Sequence, residues 1–220
     1  MGCITNGHAV ACEDKNRRGG IKRIWLIEQD SVDYDSIVFN STTGMVDEFD
    51  TVASTGFAVE FQFERETAGF NANASRENGS TIVDVELEFY VPKLTAEVNA
   101  RLSELTCSCG VVAIVESFAD DGAATPSTYF FLLGWDQIFG KEAFLEFASG
   151  EMGTGVALQD ANGTAIKLSG RHGEYPLEIA AVADVANASS ASSIGDNKVG
   201  IVKESDWATT LKSTLLTGTA

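Results

Sequence analysis

Four cysteines, Cys3, Cys12, Cys107 and Cys109, are the side chains best suited by type to hold a metal, since two thiolate pairs from distant segments build a tetrahedral zinc site. Their spacing, C-x8-C and C-x-C, departs from the C-x2–4-C knuckle. Reduced thiols are therefore expected, with a metal or one or more disulfides as the alternatives. The two histidines, His8 and His172, limit acid–base chemistry, and neither stands in an H-E-x-x-H pair. No G-x-S-x-G elbow, P-loop or dinucleotide-binding glycine pattern occurs. Gly150-Glu-Met-Gly-Thr-Gly155 has a phosphate-loop rhythm without the lysine, and it reads as a loop before strand-like Val156-Ala-Leu. Carboxylates are plentiful enough for a glycosidase pair, but their pattern singles none out. Trp25, Trp135 and Trp207 are scattered, which suits core or interface packing better than a sugar-stacking platform. Asp160-Ala-Asn162-Gly163 reads as an Asn-Gly turn rather than a calcium loop. No cofactor and no metal are expected, and a glycosidase-like carboxylate pair stays open on the residues alone.

Charge is the distinctive quantity. The chain has 220 residues, 44% hydrophobic and 21% charged, with 15 Lys+Arg against 32 Asp+Glu and a formal charge of −17. Such a balance repels phosphates and anionic lipid headgroups, so a sequence-reading DNA binder is not expected. Residues 1–23 carry +3, residues 24–160 carry −19 and residues 161–220 carry −1. A basic start on an acidic body can pair with the body of a neighbouring copy. No run approaches the ~20 apolar residues that cross a bilayer, and the N-terminus lacks a signal peptide's apolar stretch. A soluble, unsecreted protein without a membrane anchor is expected.

Elements that could position these groups follow from periodicity. Strands are expected at Ile21–Glu28 and Val32–Asn40, with a turn at Thr43-Gly44. Alternation is clearest in Phe57–Glu64 and Ile82–Phe89, which put apolar side chains on one face and acids on the other. These two strands could pair through a long excursion over Arg65–Thr81. Pro92–Leu105 changes to helical spacing, with Leu94, Val98, Leu102 and Leu105 on one stripe and Pro92 in the first turn. Further strands are expected at Val111–Phe118, Tyr129–Trp135, Ala143–Phe147, Thr164–Ser169 and Tyr175–Ala183. Together they give a mainly β fold, an antiparallel β-sandwich or half-barrel with one flanking helix at about residues 92–106. Asp184–Ser193 is small and polar, as a linker is, so the division is an arm over 1–20, a β domain over 21–183 and a linker with C-terminal arm over 184–220. In the last segment Trp207, Leu211 and Leu215 have helical spacing after a Ser205 cap; this short helix either reaches a neighbouring subunit or folds back.

The order of features resembles the tail-tube-like ring and tube proteins of tailed bacteriophages, especially those of Bacteroidetes-infecting and crAss-like phages. The resemblance rests on MGCITNGHAVAC, the Gly-Gly-Ile-Lys-Arg-Ile-Trp-Leu strand, and the acidic strands around an Asn-rich excursion. It continues through the helix, the strands from Val111 and Tyr129, and the Gly-rich Leu168-Ser-Gly-Arg-His-Gly-Glu. It spans roughly residues 1–183. It implies a non-enzymatic virion protein of the tail or neck, assembled in the host cytoplasm as a homo-oligomeric ring, a hexamer or a dodecamer. Such a ring stacks on neighbouring tail or neck proteins and passes DNA without specific binding. On this reading Glu60, Glu64, Asp84, Glu86 and Glu88 line the channel. Lys15, Arg17, Arg18, Lys22 and Arg23, with Trp207, Leu211 and Leu215, serve as subunit contacts. The alternative is a carbohydrate-active or carbohydrate-binding β-sandwich protein.

Overall fold

The computed structural model describes residues 19–51, 58–77, 79–92, 94–120, 128–154 and 162–179. The expectations for Cys3, His8, Cys12, Lys15, Arg17, Arg18, Trp207, Leu211 and Leu215 lie outside the described residues. Among the described residues eleven strands and one α-helix follow one another: β1 (Ile21–Glu28), β2 (Val32–Asn40), β3 (Met45–Thr51), β4 (Val59–Phe61), β5 (Gly69–Glu77), β6 (Ser80–Pro92), α1 (Ala96–Cys107), β7 (Val111–Asp120), β8 (Thr128–Leu133), β9 (Glu146–Gly153), β10 (Gly163–His172) and β11 (Leu177–Ile179). They form a curled seven-stranded sheet, ordered β2-β3-β11-β8-β7-β1-β4, and a four-stranded sheet, ordered β5-β6-β10-β9. The fold is mainly β with one helix, as expected. Among the described residues one pair, β3 with β11, is parallel, an exception to the antiparallel expectation.

Sequence pattern sorts the strands between two cores. Ile24 and Leu26 of β1 and Val111, Ala113 and Val115 of β7 join the first core, facing Val85, Leu87, Phe89, Ile166 and Leu168 of the four-stranded sheet. The alternate residues Trp25, Ile27, Val112 and Ile114 enter a second core on the opposite face, with Val46, Phe49, Phe130 and Leu132. Strands buried on both faces carry a nearly unbroken apolar run, which is how β1 and β7 read. β6 and β10 bury one face only and therefore alternate. Truncating a fully buried residue, Leu87 in the first core or Leu132 in the second, costs about 2–5 kcal/mol, so both cores are needed.

Several boundaries differ from expectation. The Phe57–Glu64 and Ile82–Phe89 strands are not partners: β4, only Val59–Phe61, pairs with β1, whereas β6 pairs with β5 and β10. The excursion between them is itself mostly β5, which returns onto β6 as a hairpin. Pro92 ends β6 rather than opening the helix. Having no N–H, it suits a strand terminus, and the helix is capped instead by Thr95, whose Oγ1 accepts from the Val98 N–H at 3.2 Å. Leu102 and Leu105 seat α1 on the first core. The strand expected at Ala143–Phe147 begins at Glu146, after a 3-10 turn over Lys141–Ala143. Gly150 and Gly153 lie inside β9, not in a loop, because β10 supplies a ladder from Ser169 to Gly163. β11 starts at Leu177 rather than Tyr175.

Candidate functional site

The register of β10 on β6 puts Asp84, Glu86 and Glu88 on the outer face of the four-stranded sheet, opposite Arg171, Ser169 and Lys167. β9 adds Glu146 opposite Ser169 and Glu151 opposite Ala165, so β6, β10 and β9 present five carboxylates to two cations among the described side chains of this face. Lys167 Nζ donates to Glu86 Oε2 at 2.8 Å and lies 3.1 Å from Glu88 Oε1, while Arg171 Nε approaches Asp84 Oδ1 at 3.5 Å. The hydrogen bonds from Lys167 to Glu86 and then Glu88 raise the lysine above its ordinary value. Cross-strand cations thus dilute a repulsion that a row of acids on one strand would otherwise suffer. A shallow cleft of about 530 Å³ opens along this face, with Asp84, Glu86, Glu142, Glu146 and Arg171 in its wall.

The five acids singled out in the sequence are not brought together. Asp84, Glu86 and Glu88 share a face. Glu60 sits on β4 in the other sheet, in the wall of a cleft with Lys22, Arg23 and Arg65. Glu64 follows β4, and its backbone N–H donates to the Tyr90 carbonyl at 2.9 Å, so it borders the end of β6.

Lys22 and Arg23 have partners within the chain. Both reach Glu116 of β7, whose side chain is 2% exposed: Lys22 Nζ lies 2.6 Å from Oε1, and Arg23 Nε donates to Oε2. A bulge between Ile21 and Arg23 makes this possible. The extra residue, Lys22, leaves Ile21 on the first core while Arg23 stays on the side of Trp25, over whose ring its guanidinium stacks at 5.1 Å. Glu116 lies opposite Phe130 of the second core, so the triad closes that core at one end. Sequence reading passed over Glu116. Its signal was a lone acid in the apolar run VVAIVESF, which demands a cation.

A second polar knot ties the turn after β8 to the turn after β10. The buried Asp136 carboxylate accepts from the N–H groups of Ile138 at 2.7 Å, Phe139 at 2.5 Å and Gly173 at 2.8 Å. Gln137 N–H donates to Glu174 Oε1 at 2.9 Å. A Cβ at Gly173 would lie 2.6 Å from Ile138, so glycine permits the close approach of the two turns. Beside them His172 is fully buried, and its Nε2 accepts from the Gly134 N–H at 3.2 Å. Burial, only partly offset by Asp136 and the Ala143 backbone, holds this imidazole below its ordinary 6.5. Trp25 is core and Trp135 packs half-buried on the second core, as their scatter suggested. Cys107 and Cys109 are exposed free thiols, and among the described residues no three His, Cys, Asp or Glu gather as metal ligands. Compared with protein families, curated proteins and solved structures, the chain finds no match.

Proposed function

We propose that the protein is a structural subunit of a ring or tube in the tail or neck of a tailed bacteriophage, with the outer face of the four-stranded sheet bordering a channel for DNA. The observation that carries this reading is the placement of Asp84, Glu86 and Glu88 in one row, on a face where carboxylates outnumber cations. DNA carries one charge per ~1.7 Å of axis, and a cationic wall would hold it by counterion release; a wall of net negative charge lets it pass. Glu60 lies on the other sheet and is left out of the proposed channel row. The basic residues Lys15, Arg17 and Arg18 are assigned to contacts between copies. Lys22 and Arg23, already engaged by Glu116, contribute at most their exposed edges to such a contact.

Negative-stain microscopy of the purified full chain is the test of assembly. Rings or tubes with a central opening are the expected result, and a persistent monomer at high concentration overturns the assembly. In a reconstruction of such a ring, Asp84, Glu86 and Glu88 should face the opening; finding them on the outer wall removes the channel assignment.

A further inference from the structure

At one end of the seven-stranded sheet the Asp136 knot lifts three large apolar side chains into solvent. Ile138 is 63% exposed, Phe139 40% and Tyr175 59%. Single exposed apolar residues are ordinary, but these crowd two adjoining turns. One carboxylate holds three backbone N–H groups across the turns, so a rigid apolar tip loses little entropy when something covers it. Over residues 134–142 and 172–176 the tip carries Asp136, Glu142 and Glu174, with Lys141 as its one cation besides the buried His172.

At the other end of the sheet a cleft of about 350 Å³ opens beside the start of β1, lined by half-buried Phe61, Phe63 and Phe118 and by Lys22, Arg23 and Arg65 against Glu60. That volume is near the lower bound of the ~300–1,000 Å³ of ligand sites, which suits projecting side chains better than a large ligand. Glu116 already answers Lys22 and Arg23. Arg65 is 76% exposed, lies over the Phe118 ring at 6.0 Å, and stands 3.7 Å from a Glu66 that is itself 81% exposed. Arginine beside aromatic rings is the composition of an interface centre.

We propose that the tip of one copy enters the cleft of the next. Ile138, Phe139 and Tyr175 meet aromatic side chains there, and the acidic tip comes to a recess whose most exposed charge is Arg65. β7 decides which copy supplies the tip. Gly134, at the tip's root, is so close to β7 that a Cβ on it would lie 2.8 Å from the Val111 carbonyl oxygen, whereas Phe118 is near the other end of that strand. At about 3.3 Å per residue the two are about 23 Å apart, so a fixed tip cannot fill its own cleft. Unlike patches then meet, a heterologous contact that closes into a ring or runs on as a filament. The choice of a second copy as partner rests on the ring or tube reading, which leaves the contact itself open.

Sedimentation of the full chain over about 1 to about 100 μM tests this, together with two variants altered at exposed positions. Ile138→Ser/Phe139→Ser removes the tip, and Gln62→Glu/Arg65→Glu turns the cleft acidic. Each alone should need at least about tenfold more protein to associate, with an unchanged circular dichroism spectrum showing that the fold survives. Mixed in equal amounts, the two should form pairs and nothing larger, because the mixture holds one intact tip and one intact cleft on different chains. Rings that persist in either variant overturn the tip-to-cleft contact and leave the ring standing. Mixing that restores no pairs means that like patches meet, and overturns it as well. Open oligomers that both variants dissolve uphold the contact and remove the ring, and a full chain that stays monomeric overturns both.

Discussion

Glu116 and Glu88 each meet a lysine, and the two meetings differ in nearly everything that matters energetically. Lys22 and Arg23 converge on Glu116 at the end of a core, where its side chain is 2% exposed. Lys167 meets Glu86 and Glu88 on a face where neither carboxylate is buried, their side chains being 35% and 54% exposed. In water a pair of charges 4 Å apart gains about 1 kcal/mol and salt screens it, whereas a buried charge that loses its partners keeps its desolvation cost. The same residue types therefore form a structural closure in one sheet and a tunable surface in the other. Charge on β1 and β7 holds the fold, and charge on β6 and β10 is free to serve what lies outside.

The contrast is broken most directly at buried Glu116 and its two cations. Replacing both Lys22 and Arg23 by Met takes both cations from a buried carboxylate at the end of the second core, and a loss of about 3–5 kcal/mol is expected in denaturant unfolding. A change below about 1 kcal/mol would mean that water reaches Glu116 and that the two sites are alike. Asp136→Ala is the next largest, because three backbone N–H groups lose a charged acceptor; about 2–4 kcal/mol is expected, with heightened proteolysis between Trp135 and Gly140.

Acidification sharpens the comparison through His172. Its folded value lies below 6.5, so the unfolded chain takes up the proton first. Its contribution is complete above pH 6.5 and is lost as the pH falls through the folded value. Glu178, raised by burial, acts with the opposite sign, favouring the fold at low pH. The midpoint of unfolding should thus decline from about pH 7.5 to about pH 5.5 in the unaltered protein and decline less in His172→Gln. Equal slopes would place the proton elsewhere. The smallest effect belongs to Lys167→Met, which should lower stability slightly at low salt and not at all at high salt, measured by thermal unfolding.

The parts of this molecule legible in its sequence are those where one physical rule acts alone. β1 and β2 show the boundaries that periodicity gives, and Leu102 and Leu105 mark the buried stripe of α1. β3 escaped because Val46 and Phe49, both in the second core, are three residues apart; two irregularities in the β2–β3 register break the alternation. β5 escaped because its outward residues, Asn71, Asn73 and Ser75, are turn formers, and only the ladder from β6 holds them extended. Of the candidate site, the acid row on β6 was legible, since its alternation is undisturbed. Its cations were not, because Lys167 and Arg171 come from a strand 81 residues away from Glu86 in the case of Lys167. Asp136 had only the local signal of an Asx turn, and nothing local announces that Gly173 is its third donor.

β11 is three residues long and lies between β3 and β8, and among the described residues it alone links the β2–β3 hairpin to the other four strands of its sheet by ladder hydrogen bonds. Synthesis must therefore run from Met45 to Leu177 before the hairpin can be zipped in. At about 5–20 residues per second, that leaves the hairpin edge unsatisfied for roughly 7–26 s on the ribosome. This interval, more than the finished fold, sets the window in which nascent chains can pair wrongly with one another.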